Sequence, residues 1–135
     1  MSTAFNQISK PSETDAFTNI EELKTLVRQF CEERDWCQFH DPKELAIGIS
    51  TEAAELLEHF RFQSPEQIRE KMSNPKTREE ISYELADIFF FILRFSQMEQ
   101  IDLSDALRHK IKITAKKYSI KNSKGKNLKY TEFQK

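Results

Sequence analysis

The segment "ISTEAAELLEHF" (49–60) sets Glu52 and Glu55 beside an apolar stripe, and "ISYELADIFFFI" (81–92) sets Glu84 and Asp87 beside another. An ionised carboxylate is costly to take out of water, so acids at the margin of a packing face call for a partner. Counting from Glu52, apolar residues fall at −3, +1, +4 and +8 (Ile49, Ala53, Leu56, Phe60), with the second acid at +3. Counting from Glu84, the same offsets give Ile81, Leu85, Ile88 and Ile92, with Asp87 at +3. At about 100° per residue these positions share one helical arc roughly 60° wide, with the first acid at its edge. Two such helices packed antiparallel would let all four carboxylates converge. Converging carboxylates raise one another's pKa, and a hard divalent cation removes that conflict. Oxygen-only donors suit Mg²⁺, with Mn²⁺ as a substitute. The plainer alternative is a set of boundary acids in surface ion pairs, since either pair alone is common on helices. A di-iron bundle would need Glu-x-x-His on two helices. None of His40, His59 and His109 lies three residues after a glutamate.

Helices are also what the rest of the chain predicts. It has 135 residues, two glycines, and four prolines placed between periodic segments. That favours long helices and few tight turns within one domain. A first helix is expected over 19–35, with Ile20, Leu23, Val27 and Phe30 on one side. "CQFHDP" links it to a second helix over 42–62, capped by Asp41 with Pro42 at its first position. "SPEQIREKM" opens on a similar pair and suits a short connecting helix that Pro75 ends. Thr77 is the expected cap of a third helix over 78–99. Asp102 or Ser104 opens a fourth over 103–119. Residues 1–17 are polar and aperiodic and read as a loose arm. Residues 120–135 read as a basic, partly mobile tail. No segment has the period of a strand, so the expected fold is all-α, a four-helix bundle.

Composition excludes several function classes. "IFFFIL" (88–93) is the longest apolar run and is far too short to span a bilayer. With no signal-peptide pattern, a soluble cytoplasmic protein is the expectation. Cys31 and Cys37, six apart, match no common zinc knuckle and make a poor disulfide framework. Net charge is −1, yet Ala106–Thr131 holds no acid and nine basic residues, Arg108 and Lys110 among them. Such a stretch could meet phosphates or could be a solvated face. A nucleic-acid-binding protein would use those lysines but would be opposed by the doubled acids, so no nucleic-acid partner is expected. A helical interaction module would account for the 11 phenylalanines but not for the acids.

"STEAAELLEHF" followed by "ISYELADIFFFIL" resembles the MazG-like nucleotide pyrophosphohydrolases, an all-α group marked by EExxE and, further on, ExxD. Upstream, "ERDWCQFHDPKELA" is similar to the dCTP pyrophosphatase branch, as is "KYTEF" in the tail. The resemblance covers about 18–119, which sets the expected domain. It implies Mg²⁺-dependent hydrolysis of nucleoside triphosphates to monophosphate and pyrophosphate, favouring dCTP or a modified dCTP. It implies metal ligation by Glu52, Glu55, Glu84 and Asp87. It implies base contacts at Trp36, His40 and Phe62 (commonly Trp in the branch), and Phe91 (commonly Tyr) near the deoxyribose. Phosphate contacts fall on Lys110, Thr114 (usually Asn), Lys117 and Tyr118. Thr51 stands where the full EExxE pattern has an acid, as in the dCTP branch, which leaves the general base unassigned. Relatives assemble as dimers or tetramers, and a homo-oligomer, a tetramer, is expected. Each supporting residue also has a plainer role: Trp36 as a staple between helices, His40 as a loop residue, Phe62 and Phe91 as core, Lys110 and Lys117 as solvated charge.

Overall fold

The computed structural model describes residues 13–133, and among them there are helices and no strand. The α-helices are α1 (Ile20–Glu32), α2 (Pro42–Glu58), α3 (Pro65–Ser73), α4 (Pro75–Met98), α5 (Leu103–Lys117) and α6 (Ile120–Ser123). Short 3₁₀ turns occupy Trp36–Phe39 and Tyr130–Glu132. The four expected long helices are present as α1, α2, α4 and α5. The expected arm over 1–17 lies mostly outside the described residues. No described helix is long and apolar enough to cross a membrane.

Local chemistry explains where the helices begin. Asn19 and Glu22 form a reciprocal box at α1, each side chain bonding the other's backbone N–H at 2.9 and 3.0 Å. Asp41 Oδ1 accepts from Glu44 N at 2.9 Å with Pro42 at the first position, as expected. Ser64 and Gln67 form the second box, at α3. The expected start of α4 is corrected. Pro75 opens this helix instead of ending the connector. Asn74 Oδ1 accepts from Lys76 N (3.0 Å) and Thr77 N (3.2 Å), so Thr77 is inside and not the cap. A proline at the first position loses no intrahelical bond, because that N–H has no partner anyway. Asp102, not Ser104, caps α5 through Asp105 N at 2.8 Å.

Two helices end earlier than the periodicity predicts. α1 stops at Glu32, and Asp35 then turns the chain at φ 52°. α2 stops at Glu58, and Phe62 sits at φ 60°. Lys71 Nζ on α3 donates to the His59 carbonyl at 2.7 Å, which satisfies one of the open acceptors at the end of α2.

The chain divides into two compact units, Met1–Gln100 and Ile101–Lys135. In the first, α4 is the central element: α2 makes the largest contact with it, and α1 and α3 also pack on it. The buried apolar side chains are Val27, Cys31, Leu45, Ile81 and Leu93. Each buried aliphatic of this size contributes about 1.5–3 kcal/mol. Gly48 sits mid-helix in α2, where glycine costs about 1 kcal/mol relative to alanine. A Cβ there would lie 2.6 Å from the Phe91 ring, so the missing side chain is what lets α2 and α4 approach at this level. In the second unit the tail has structure of its own. Tyr118 packs edge-on against Tyr130 (5.7 Å) and Phe133 (5.8 Å), and Lys117 Nζ lies 5.2 Å from the Tyr130 ring.

Candidate active site

The α2–α4 contact brings the acids together across two helices. Ligand oxygens of Glu52, Glu55 and Glu84 all lie within 4.8 Å of one another. Glu52 and Glu84 are half-buried and Glu55 is exposed. Asp87, one turn along α4 from Glu84, is exposed and is not part of this close group. Its charge still reaches the cluster. Burial pushes the Glu52 carboxyl above the ordinary range, and the charges of Glu55, Asp87 and Glu84 push the same way.

Ion pairing does not account for the acids. Among the described residues, Glu33, Glu44, Glu58 and Glu66 each meet an arginine or lysine within 3.5 Å. None of Glu52, Glu55, Glu84 and Asp87 has such a partner; Glu84 alone meets a histidine. The acids with cations beside them are dispersed on the surface, and those that converge have none. Three oxygen donors in mutual repulsion fit a hard divalent cation.

His59 is the neighbour that the sequence reading passed over. Its Nε2 lies 3.4 Å from Glu84 Oε1, and the ring is half-buried. The signal was present: His59 is seven residues after Glu52 and four after Glu55, on the same helical line. Thr51 is occupied otherwise, its hydroxyl donating to the Ile47 carbonyl at 2.9 Å.

A run of rings forms a second part of the first unit. Phe91 meets Phe90 at 5.4 Å, Phe90 meets Phe30 at 5.8 Å, Phe30 meets Trp36 at 5.6 Å, and Trp36 meets His40 at 6.3 Å, all edge to face. Trp36, His40 and Phe91 are therefore linked through packed rings, with Trp36 still 39 % exposed. Phe62 is not brought to them. It is 88 % exposed, with Arg61 Cζ 4.6 Å from its ring, and no ring contact joins it to the others among the described residues. Under the Trp36–Phe39 turn lies Arg94 of α4, 2 % exposed. Its Nε donates to His40 Nδ1 at 2.9 Å and its Nη2 to Cys37 Sγ at 3.0 Å. Cys31 and Cys37 are free thiols.

The expected phosphate contacts belong to the second unit. Lys110, Thr114 and Tyr118 line a shallow cavity of about 310 Å³ with Ile111 and Ala115. Lys117 is turned to Tyr130 instead. A wider cavity of about 650 Å³ lies along the start of α1, lined by Thr18, Leu23 and Leu26, and holds none of the expected site residues.

The MazG-like family model matches residues 47–133, which include the α2 and α4 acids and all of α5. The chain belongs to the MazG-like family. Within it, the resemblance to the dCTP pyrophosphatase branch stands. The bovine dCTP pyrophosphatase 1 is 30% identical over 113 residues, covering 84% of this chain and 67% of the bovine protein. The human dCTP pyrophosphatase 1 is 28% identical over 113 residues, 84% of this chain and 66% of the human protein. The chain thus spans about two-thirds of the length of these relatives. A pyrophosphatase from Archaeoglobus fulgidus has the same fold, with TM-score 0.69 and 34% identity. The match covers 74% of this chain and 92% of that one.

Proposed function

We propose that this MazG-like chain hydrolyses deoxynucleoside triphosphates to the monophosphate and pyrophosphate with Mg²⁺, favouring dCTP or a modified dCTP, as nucleotide-pool housekeeping. By its family and relatives the chain is a nucleoside triphosphate pyrophosphohydrolase. The observation that supports metal-dependent hydrolysis is the convergence of Glu52, Glu55 and Glu84 with no lysine or arginine paired to them among the described residues.

Glu52, Glu55, Glu84 and Asp87 hold the cation in this reading, Asp87 joining from one turn away. Bound Mg²⁺ supplies charge compensation for the triphosphate and activation of the attacking water. The chain's own residues do the rest. Lys110 and Lys117 stabilise charge on the transferring and leaving groups, with Thr114 and Tyr118 as further phosphate contacts. Trp36 offers the base a stacking face and His40 a hydrogen bond; Phe62, which stands apart from them within one chain, would serve the base as a second apolar surface only from a neighbouring subunit of the oligomer. Phe91 lies flat against a sugar that lacks a 2′-hydroxyl. Attack at the α-phosphorus releases pyrophosphate in one step. Thr51 takes no proton, since it has no basic group and its hydroxyl is held by Ile47. Glu58 is engaged by Arg61 at 3.2 Å, which leaves Glu55 the better placed proton acceptor.

The working unit in this reading is a domain over 18–119, in a homo-oligomer, a tetramer, in the cytoplasm. Support for assembly comes from the apolar surface. α5 buries none of its residues, with Leu107 62 %, Ile111 59 % and Ile113 51 % exposed. Leu107 and Ile111, one turn apart on α5, present exposed apolar surface of the kind that suits an interface.

The test is a panel of canonical and modified nucleoside triphosphates with Mg²⁺, products separated by chromatography. The expected products are dCMP and pyrophosphate, with dCTP or a modified dCTP turned over best. Release of orthophosphate, or no turnover of any nucleotide, would overturn the reading.

A further inference from the structure

Arg94 is the most buried charged residue of the core, at 2 % exposure, and among the described residues it has no carboxylate partner. An arginine so placed is ordinarily matched by an anion. Here its donors go to an imidazole nitrogen, a sulfur and an amide oxygen instead. Nε meets His40 Nδ1 at 2.9 Å, Nη2 meets Cys37 Sγ at 3.0 Å, and Nη1 meets Gln97 Oε1. Gln97 is itself held, its Nε2 donating to the Lys24 carbonyl at 3.1 Å. Two of the three arms reach back 54 and 57 residues to the turn that carries Trp36. Arg94 therefore ties that turn to α4.

The consequence for His40 is chemical. A guanidinium only donates, so the nitrogen that faces it must carry a lone pair. A neutral imidazole with its lone pair on Nδ1 has its proton on Nε2. A protonated ring would set N–H against N–H. We infer that Arg94 is a positioning residue that holds His40 as a neutral Nε2–H donor, so that His40 reads an acceptor on the base. This rests on the reading of Trp36 and His40 as the base site. The acceptor is a ring nitrogen or a carbonyl oxygen; cytosine has one of each, at N3 and O2. The exocyclic amine is a donor and finds no lone pair on this ring. Burial and the Arg94 charge both lower the His40 pKa, in keeping with a ring that stays neutral.

The full chain, metal-free and without nucleotide, should show the His40 ring in the Nε2–H form at neutral pH by long-range ¹H–¹⁵N NMR, with His40→Gln providing the assignment. An Nδ1–H ring, an imidazolium or a tautomer mixture would overturn the inference. Arg94→Met should leave a mixed-tautomer ring and raise KM for dCTP about ten-fold, with kcat changed less than about two-fold. Arg94→Lys keeps the charge but not the three-armed fork, and serves if the Met variant does not fold. A folded variant of either kind that kept a pure Nε2–H ring and an unchanged KM would overturn the role given to Arg94. The wrong tautomer in an enzyme that turns over dCTP would defeat this inference alone. The expected tautomer in a protein that hydrolyses no nucleotide would defeat the function on which it rests.

Discussion

On α2 and α4, Glu52, Glu55 and Glu84 bring their oxygens within 4.8 Å with no lysine or arginine paired to them among the described residues, whereas under the Trp36–Phe39 turn every arm of Arg94 is met by an acceptor. Both regions place charge against a core, and they resolve it differently. The acids are left in mutual repulsion; burial first, and the neighbouring charges with it, raise Glu52, and a cation would relieve both. The arginine is satisfied inside the protein, which ties the Trp36–Phe39 turn to α4. A site that needs a removable ion has to be incomplete without it. A site that reads a base gains from being complete in advance, because less ordering remains to be done on binding.

The contrast sets the order of expected effects. Glu52→Gln, Glu55→Gln and Glu84→Gln should each lower kcat/KM by about 100-fold or more, since a bound cation is worth several kcal/mol in the transition state. Asp87→Asn belongs in the same series and is the more pointed case, because its carboxylate stands outside the close group. Near-normal activity in that variant would reduce the site to three acids. Trp36→Ala should raise KM for dCTP roughly 10- to 100-fold, the equivalent of losing about 1–3 kcal/mol of stacking, with Mg²⁺ affinity unchanged. A fall in Mg²⁺ affinity would mean that the two regions are not separate. CTP should trail dCTP in kcat/KM by about ten- to a hundred-fold, because a 2′-hydroxyl against Phe91 would be buried without a partner. Equal values would remove Phe91 from the sugar site.

Smaller effects concern stability. Glu52→Gln takes one charge out of the repelling cluster, so the metal-free melting temperature should hold or rise while the increment added by Mg²⁺ shrinks. Thermal melts with and without Mg²⁺ measure both, and a clear drop in the metal-free protein would count against the repulsion. For His40 the folded pKa is lowered, so the folded state favours the neutral ring. That contribution is fully present above the unfolded value of 6.5 and is lost as pH falls through the lowered folded value. Urea midpoints should fall less steeply on acidification in His40→Gln than in the natural protein. Equal slopes would mean that the ring titrates freely.

Much of the acid region was readable in the sequence because it rests on local periodicity. Residues three, four and seven apart share a helical line wherever the helix goes, so Glu52, Glu55 and Glu84 could be set beside a packing face without knowing the fold. The helix starts were readable for the same reason at Asp41–Pro42 and Ser64–Pro65. The matching pair Asn74–Pro75 was missed because one residue does two tasks: Asn74 ends α3 and caps α4. Arg94 was not readable. It sits inside "FFFILRFSQ", and what it does depends on groups 54 and 57 residues away. The early end of α2 was hidden similarly, since it involves Lys71 reaching the His59 carbonyl from another helix.

In the function proposed above, the converging acids of α2 and α4 hold a divalent cation. The decisive measurement is a calorimetric titration of Mg²⁺ into the metal-free protein, beside the same titration of Glu84→Gln. The account predicts saturable binding in the natural chain that is lost or severely weakened in the variant, with the helical dichroism of the two proteins alike. No binding in the natural chain, or equal binding in both, would contradict it.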